Sequence, residues 1–475
     1  MGSVPATNSK HHLTRRRVLR LLAGVSALGP IAACAGCATP APAPGASTPS
    51  TTPVPAQAAG QSGGSFDWLR FKGDSINVEI SASPRADMLR KYQPEFEALT
   101  GMRVNLEITP EQQARQKQVI QFQSGTTDFD VTFVSWHVQK RLFGKGKWTE
   151  DLLPYLTDRT RTPADFDFED FSRTGIEHAT QADGRMDTMP VTVEVWLLYW
   201  HKELFEQAGL KPPDSHEDLY QAGRKLTDAS SKTYGFIGRG LKNANVPIWT
   251  QFLLGYDLDA VDRKTHKLNT DGPEAIEAAR LYQRLMRECA PPTVAGYNWN
   301  ECQTSFMQGS IGMWLDALGY SAPLANPSKS RVAGKVGYGL VPRGPKARLA
   351  ADGGDGVGIS SFSRKKDQAY LYLLWAAGKA NQVRLLLEAG SNPVRTSAFR
   401  DPAVTAPGAF QSGFLDCVVG SAAIGRLGLP EIIPVTEFRD TFGIALANII
   451  GGADPAAELR QATEDFRPIL EQSER

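Results

Sequence analysis

The sequence contains no run of about 18 apolar residues, which is the length that a membrane-spanning helix needs. It also contains no GxSxG, HExxH, Walker A or EF-hand motif, so the commonest signatures of hydrolytic, nucleotide-binding and calcium-binding sites are absent. Cysteine is scarce, with five residues in 475, and the folded part has no CxxC pair with histidines at ligand spacing. We therefore expect no metal site, and nothing in the sequence implies a cofactor.

Basic residues are concentrated at the start of the chain. Residues 1–33 contain no acidic residue and five basic ones, namely Lys10, Arg15, Arg16, Arg17 and Arg20. The remaining chain has 47 basic and 51 acidic residues, a net charge of −4, compared with +1 for the whole sequence. A mildly acidic body lacks the basic surface that nucleic-acid binding requires, so we expect no nucleic-acid partner.

The first 33 residues have the features of an export signal peptide. Their basic residues precede Leu21–Ala33, an apolar stretch that is too short to cross a bilayer. The segment TRRRVLR at residues 14–20 resembles a twin-arginine export signal. The segment IAAC at residues 31–34 resembles the lipobox of bacterial lipoproteins, in which cleavage precedes a cysteine that carries diacylglycerol. We therefore predict lipidation of Cys34; the alternative is a cleavable signal beside an incidental cysteine.

Residues 34–65 form a predicted linker behind the lipid anchor. From Ala38 to Gly64 the sequence is almost wholly Ala, Pro, Thr, Ser, Gly, Gln and Val, without charge. Such a composition cannot bury enough apolar surface to fold, and its prolines favour a semi-extended tether. We expect a folded body held outside the cytoplasm at the cell membrane, an arrangement that suits a receptor or an anchored enzyme.

The body from Phe66 onward alternates strand and helix patterns, which predicts an α/β fold with a largely parallel sheet covered on both faces. Residues 75–80 alternate in polarity as a strand does. Residues 86–99 have helical spacing, although Pro94 is expected to end or kink this helix. Further strands are predicted near residues 104–108, 130–134, 187–200, 337–341 and 356–360.

Cys289 and Cys302 are 13 positions apart, between the end of one predicted helix and the start of the next. Because export leads to an oxidising compartment, we favour a disulfide between them. A loop of this size would contribute about 3 kcal/mol in the chain-entropy model. Cys417 is expected to be a buried free thiol.

Tryptophans fall near the ends of predicted strands or in loops, several of them beside polar residues: Trp136, Trp196, Trp200, Trp249, Trp299 and Trp314. Aromatic faces stack on the C–H faces of sugar rings, while carboxylates or amides bind the hydroxyls. A large apolar platform with a few polar groups is typical of a small-molecule cleft. The alternative for any single tryptophan is a place in the core.

Four segments carry a common resemblance: MPVTVEVWLLYWHKELF (189–205), FMQGSIGMWLD (306–316), GYGLVP with GGDGVGIS (337–342 and 353–360), and AGSNPVR (389–395). Together they resemble the extracellular solute-binding proteins of sugar-type ABC importers, the maltose-binding-like family 1. The resemblance extends over about residues 70–470, and the sequence departs from it at Gly312, where an alanine is usual.

The resemblance implies a periplasmic-binding-protein-like fold, in which two α/β lobes joined by a hinge close on a ligand between them. It places residues 66–185 and about 330–375 in the first lobe, and residues 186–329 and about 376–475 in the second. We therefore predict a monomeric receptor that performs no chemistry. It would capture a carbohydrate or polyol and deliver it to the permease subunits of an ABC importer.

The same resemblance places the ligand-binding residues in loops and in the segments that cross between the lobes. Trp136 and Trp249 are expected to stack on sugar rings. Glu194, Asp316 and Asp355 are expected to accept hydrogen bonds from hydroxyls. The remaining candidates are Ser83, Arg85, His137, Trp196, Asn245, Tyr320, Glu437 and Arg439.

Three other functions stay open. An anchored glycoside hydrolase needs two carboxylates roughly 5–10 Å apart, for which Glu194 and Asp355 are candidates. A receptor for a phosphorylated or other anionic solute needs clustered cations, for which Arg85, Arg395 and Arg439 are candidates. A cell-surface interaction protein would bind no small molecule.

Overall fold

The computed structural model describes residues 65–474 of the chain. The predicted signal peptide, the linker up to residue 64 and the predicted lipidation site Cys34 lie outside the described residues. Within residues 65–474, no helix combines the length and the apolar character that crossing a membrane requires. The fold is mixed α/β, as the sequence predicts.

Strands and helices alternate along the described chain. The strands are β1 (Ser75–Ser81), β2 (Arg103–Thr109), β3 (Val131–Ser135), β4 (Met189–Thr192), β5 (Trp196–His201), β6 (Met313–Ala317), β7 (Val336–Gly339), β8 (Ala350–Asp352), β9 (Asp355–Ile359) and β10 (Gly425–Leu427). The helices are α1 (Pro84–Thr100), α2 (Glu111–Ser124), α3 (Trp136–Gly146), α4 (Leu153–Thr157), α5 (Arg173–Ala179), α6 (Lys202–Gln207), α7 (His216–Leu226), α8 (Val246–Leu254), α9 (Pro273–Arg284), α10 (Trp299–Met307), α11 (Lys366–Ala376), α12 (Lys379–Arg384), α13 (Pro402–Thr405), α14 (Phe414–Ala423), α15 (Val435–Gly451) and α16 (Pro455–Ser473).

The first lobe is built on a five-stranded sheet with the strand order β2-β1-β3-β9-β4. Strand β1 pairs in parallel with β2 and β3, whereas β9 is antiparallel to both of its neighbours. Alternation along β1 buries Ile76, Val78 and Ile80 in the core of this lobe. The sheet is therefore only partly parallel, because the chain leaves the lobe after β4 and returns to supply β9.

Helix α1 follows β1 and begins beside the cleft between the lobes. Ser83 caps it, because the Ser83 hydroxyl accepts a hydrogen bond from a backbone N–H of the first turn at 3.2 Å. Pro94 was expected to end or kink this helix. The helix continues through Pro94 to Thr100, so the proline does not end it. Phe96, two residues further on, packs against Tyr372 and Trp375, with ring centroids 5.4 and 5.6 Å away. This packing stabilises the turns after the proline.

The second lobe is built on a three-stranded antiparallel sheet with the order β6-β5-β7. Its core contains large, fully buried aromatic rings, among them Trp249, Trp314, Tyr199 and Tyr282. Tyr199 of β5 and Trp314 of β6 stack across the sheet, with ring centroids 4.8 Å apart. Most tryptophans of this lobe are therefore committed to the core.

Three crossing segments join the lobes, and two of them pair with each other. The single strand predicted at 187–200 is two strands, because β4 belongs to the first sheet and β5 to the second. Between them, the Glu194 N–H donates to the Gly353 carbonyl at 3.2 Å, and the Gly353 N–H donates to the Glu194 carbonyl at 3.0 Å. Gly354 has a φ of 145°, and a Cβ added there would lie 2.1 Å from the Thr192 carbonyl. Only glycine fits at this position.

The boundaries of the lobes differ from the predicted ones at two places. Strand β7 pairs with β5, so residues 336–339 belong to the second lobe and not to the first. The chain re-enters the first lobe at β9, and Leu385, Ala389 and Val394 still pack in the first-lobe core. The return crossing therefore lies near Gly353 instead of residue 330, and the last crossing follows Val394. Strand partners decide these boundaries, and the periodicity of a sequence does not identify partners.

Cys289, Cys302 and Cys417 are free and buried in the structure, so the predicted disulfide between Cys289 and Cys302 is not formed. Both cysteines belong to the apolar core of the second lobe. Burial raises the pKa of the Cys289 thiol to about 12 and that of Cys302 well above its usual range. Cys417 is a buried free thiol, as expected.

Candidate ligand-binding cleft

A cavity of about 130 Å³ lies between the two lobes, against the crossing segments. A space of this size has room for several water molecules or for one small organic molecule. The first lobe contributes Ser81, Ala82, Ser83, Arg85, Glu111, Arg115, Phe133, Ser135, His137 and Asp355 to its lining; the second contributes Trp196, Arg239, Pro247, Trp299, Ala317, Tyr320, Gly428 and Leu429; and the crossing segments contribute Glu194, Ala351, Asp352, Gly353 and Gly354.

Seven of the thirteen predicted ligand-binding residues line this cavity: Ser83, Arg85, His137, Glu194, Trp196, Tyr320 and Asp355. They come from the loop after β1, the starts of α1 and α3, the first crossing, the start of β5, the segment after β6 and the start of β9. The loops at the ends of strands therefore meet at one place, as the predicted two-lobed arrangement requires.

Arg85 and Asp355 form an ion pair on the first-lobe wall. Arg85 Nη2 lies 2.8 Å from Asp355 Oδ2, and the Ser135 hydroxyl donates to Asp355 Oδ1 at 2.6 Å. Burial alone would raise the pKa of Asp355, but the Arg85 guanidinium and the hydrogen bond from Ser135 hold it below its usual value. Arg85 Nε is buried without a hydrogen-bond partner among residues 65–474. This N–H can donate to a ligand.

A second ion pair lies at the start of α2. Arg115 Nη2 is 2.7 Å from Glu111 Oε1, one helical turn away. Burial would raise the pKa of Glu111, but Arg115 and the second-lobe residues Arg439 and Arg239 lower it. Glu111 therefore attracts positive charge across the cleft. Arg115 Nε and Nη1 are buried, and no group in the described part of the chain accepts from them.

Glu194 projects into the cavity from the first crossing segment. Its Oε1 accepts a hydrogen bond from the Thr192 hydroxyl at 3.0 Å, whereas its buried Oε2 has no partner within residues 65–474. Burial raises the pKa of this carboxyl, and the hydrogen bonds and the Arg85 charge do not offset the effect. A Cβ added at Gly319 would lie 2.8 Å from Glu194 Oε1, so a glycine at 319 leaves room for the carboxylate.

The second-lobe wall is aromatic. Trp299 and Tyr320 stack face to face, with ring centroids 4.6 Å apart and planes 5° from parallel. The guanidinium carbon of Arg239 lies 5.4 Å from the ring centroid of Trp196 and 5.6 Å from that of Tyr320. Asp316 is fully buried and pairs with Arg239, whose Nε donates to Asp316 Oδ2 at 2.9 Å. Asp316 was predicted to bind ligand hydroxyls. Instead it holds an arginine in place and does not line the cavity.

Both tryptophans that were expected to stack on sugar rings lie in the core instead. Trp136 donates through Nε1 to a threonine hydroxyl at 2.9 Å, and its ring stacks on His178. Trp249 is fully buried in α8, donates to a backbone carbonyl at 3.1 Å and stacks on Phe442. Neither residue lines the cavity. Each indole finds its hydrogen-bond partner inside the protein, which leaves no polar edge for a ligand.

Three further predicted residues also lie outside the cavity. Asn245 is fully buried, and its side-chain amide donates to a backbone carbonyl at 3.0 Å. Glu437 is exposed in the first turn of α15. Arg439 is buried next to the cleft, where its Nε donates to the Asn243 carbonyl at 3.2 Å. Burial and the nearby Arg115 charge lower the pKa of Arg439 to about 9.

Trp299 lines the cavity and was noted among the tryptophans near loops, but it was not one of the thirteen candidates. Three important lining residues were missed: Glu111, Arg115 and Arg239. A signal existed for the first two, because α2 follows β2, and the carboxyl ends of parallel strands meet at one edge of a sheet. No local signal existed for Arg239, which lies in an irregular segment and pairs with a carboxylate 77 positions away.

The environment of His137 predicts a pH dependence of stability. Burial and the Arg115 charge lower the pKa of His137 from 6.5 to about 4, so between these values the unfolded chain binds the proton and the folded chain does not. This difference makes stability fall as the pH is lowered from 6.5 towards 4, by up to about 3 kcal/mol. Substitution His137→Gln is expected to reduce the slope of the profile over that window in chemical denaturation experiments, while the contribution of His216, whose pKa burial also lowers to about 4, remains. Parallel profiles for the wild type and the variant would contradict the assignment.

Comparison with known proteins adds the following findings. Residues 82–383 match the family model described as bacterial extracellular solute-binding protein. The chain is 28% identical over 423 residues to an erythritol/L-threitol-binding protein of Mycolicibacterium smegmatis, with 84% of this chain and 86% of that protein covered.

Two solved structures have the same overall architecture. A ribitol complex of an ABC transporter solute-binding protein from Agrobacterium radiobacter K84 is 26% identical, with a TM-score of 0.77, and 84% of this chain and 99% of that chain are covered. Maltose-bound MalE3 of T. maritima has a TM-score of 0.75 at 21% identity, with 84% of this chain and 100% of that chain covered. The second likeness is one of fold alone.

Proposed function

The chain belongs to the bacterial extracellular solute-binding proteins, and on this basis we propose that it captures a carbohydrate or polyol between its lobes for delivery to an ABC importer. The matched relatives and structures are binding proteins of transporters, and the chain covers nearly their full length. We therefore expect the bound molecule to be released unchanged.

The observation that carries the proposal is a set of buried polar atoms, on residues that line the cavity, that have no hydrogen-bond partner in the described residues. Arg85 Nε and Arg115 Nε and Nη1 are unused donors, Glu194 Oε2 is an unused acceptor, and His137 Nδ1 is also unpaired. A buried polar atom without a hydrogen bond costs about 1–3 kcal/mol. Hydroxyl groups both donate and accept, so a polyhydroxylated ligand carries the groups that unused donors and acceptors of this kind require.

The charge of the lining favours a neutral ligand over an anionic one. Three arginines and four carboxylates line the cavity, namely Arg85, Arg115, Arg239, Glu111, Glu194, Asp352 and Asp355. Arg395, which could have served an anion, lies in the first-lobe core and donates to three backbone carbonyls at 2.8 Å. An anionic solute would meet the carboxylates of Glu194 and Asp352, each of which has one oxygen without a partner in the described residues. The binding of open-chain polyols by the relative and by the ribitol-bound structure agrees with this charge balance.

Isothermal titration calorimetry of the purified protein against neutral polyols, neutral sugars, phosphosugars and amino acids tests the proposal. We expect binding within the first two classes, with the ligand recovered intact by chromatography. Binding also predicts a stabilisation of about 2.7 kcal/mol at a ligand concentration of 100 times the Kd. Cleavage of an oligosaccharide would support the hydrolase alternative instead, and binding restricted to phosphosugars would support a receptor for anions.

Substitution Glu194→Gln tests whether the crossing segment contacts the ligand. Gln retains the shape but loses the charge of the acceptor, and a hydrogen bond to a charged group contributes about 1.5–3 kcal/mol. We expect the Kd for the polyol to rise by about tenfold or more. Glu437→Gln is the matched control, because Glu437 is exposed and lies outside the cavity. Equal Kd values for the two variants would contradict a role of Glu194 in binding.

We further propose that the protein is exported as a monomeric lipoprotein, anchored in the membrane through Cys34. Extracellular solute-binding proteins act outside the cytoplasm, and the predicted lipobox and uncharged linker would keep the two lobes close to the importer. The thioether-linked lipid requires the Cys34 thiol. The nearby Cys37 provides a matched control, because it is a cysteine of the same segment without the apolar residue that a lipobox has before the cleavage site.

Cells that express the protein and are fed a radiolabelled or alkyne-bearing fatty acid report on this anchor. We expect label in the wild type and in Cys37→Ser, and no label in Cys34→Ser, which is also expected to leave the membrane fraction. Label retained in Cys34→Ser would contradict the assignment of the lipidated residue.

A further inference from the structure

The aromatic rings that line the cavity have charged or aromatic groups on their faces. Arg239 lies over Trp196 and Tyr320, with its guanidinium carbon 5.4 and 5.6 Å from the two ring centroids. Tyr320 also stacks on Trp299, with centroids 4.6 Å apart. On the opposite wall, the Arg85 guanidinium carbon lies 5.4 Å from the Phe133 ring centroid. A sugar ring binds an aromatic platform through an uncovered face, and here a guanidinium group lies over one face of each of Trp196, Tyr320 and Phe133.

Arg239 is fixed in this position. Its Nε donates to Asp316 Oδ2 at 2.9 Å, and its Nη2 donates to Asp316 Oδ1, which together form a bidentate pair. Asp316 is fully buried in β6 and also accepts from the Ala317 N–H at 2.7 Å. The Tyr282 hydroxyl donates to the backbone carbonyl of Arg239 at 3.0 Å. A ligand cannot displace the guanidinium without leaving the buried carboxylate unpaired.

The guanidinium nevertheless remains available to hydroxyls. None of the hydrogen bonds to Asp316 uses Nη1 of Arg239, and the residue lines the cavity. An N–H at this position can donate to a hydroxyl of a ligand whose other hydroxyls reach Arg115 or Glu194. An open-chain polyol has a hydroxyl on every carbon and rotates about each C–C bond, so it can follow such scattered partners. A pyranose holds its hydroxyls at the rim of a rigid ring.

We propose that Arg239 is the specificity-determining residue of the cleft: its guanidinium covers Trp196 and Tyr320 where a sugar ring would stack, and so selects open-chain polyols over ring sugars. The inference rests on the proposed function, since it specifies which hydroxylated ligands the cleft accepts. Asp316 acts as a positioning residue, because it holds the guanidinium and does not reach the cavity.

Calorimetry of the wild-type protein with two groups of neutral ligands tests the selectivity. The first group is erythritol, ribitol and mannitol, and the second is the methyl pyranosides of glucose, galactose and mannose, which cannot open. We expect the tightest open-chain ligand to bind at least about tenfold more tightly than any pyranoside. Equal or tighter binding of a pyranoside would overturn the inference and leave the proposed function standing. Binding of neither group would overturn both.

A charge-neutral double variant tests the role of Arg239 itself. Arg239→Ala with Asp316→Asn removes the cover from Trp196 and Tyr320 without leaving a buried charge. We expect weaker binding of open-chain polyols and at least a tenfold gain in pyranoside affinity. The gain should be accompanied by a change in tryptophan fluorescence on pyranoside binding, because the sugar then contacts Trp196. A structural role of the pair alone would weaken both ligand groups without such a gain.

The matched control removes a second arginine–carboxylate pair from the same cavity. Arg115→Ala with Glu111→Gln creates similar space, but Arg115 lies over no aromatic ring among the described residues. We expect no gain in pyranoside affinity from this control. A gain in both variants, or in neither, would overturn the assignment of Arg239. If the alanine variant does not fold, Arg239→Gln with Asp316→Asn replaces it, because Gln is closer to Arg in size. This variant also lacks the guanidinium group and is expected to gain pyranoside affinity in the same way.

Discussion

The backbone pairing of Glu194 with Gly353 is the constraint on which the rest of the structure depends. It holds the first crossing segment and the return segment side by side between the five-stranded sheet of the first lobe and the three-stranded sheet of the second. The Glu194 side chain and the glycines of the return segment line the cavity at the same point. A Cβ at Gly353 would lie 2.9 Å from His137 Nδ1, so the close approach of the walls also depends on glycine. The lining of the cavity and the connection between the lobes therefore depend on the same few residues.

The polar groups of the cleft satisfy each other within a lobe before they meet any ligand. Arg85 pairs with Asp355 on the first lobe, and Arg239 pairs with Asp316 on the second. Neither lobe therefore needs a bound molecule to neutralise its buried charges, and the unused N–H and carboxylate atoms are the groups left for recognition. In the proposed function, the charge of the lining disfavours anions, and the placement of hydroxyl groups distinguishes among neutral ligands. The covering of aromatic faces by guanidinium groups extends this discrimination to the shape of the ligand.

The sequence predicts the α/β class and the loops that form the cleft, because strand alternation, helix caps and strand-end positions are local signals. Ser83 and Arg85, which the family resemblance implied, line the cavity. Residues whose surroundings depend on distant partners were given a wrong role or were missed. Trp249 was expected at the ligand but stacks on Phe442, almost 200 positions further along the chain. Arg239 was missed, because its position depends on its pairing with Asp316. The alternation over 187–200 is real, but it continues through the crossing and hides the change of sheet. Local patterns predict elements, whereas pairing between elements decides which side chains face the cleft.

The central claim is that one polyol is held by both lobes at once, and a crystal structure of the complex with the tightest-binding open-chain polyol tests it most directly. The account predicts the ligand in the cavity, with hydroxyls within about 3 Å of Arg115 on the first lobe, Arg239 on the second and Glu194 at the crossing. A ligand that contacted one lobe only, or that lay outside the cavity, would contradict the account.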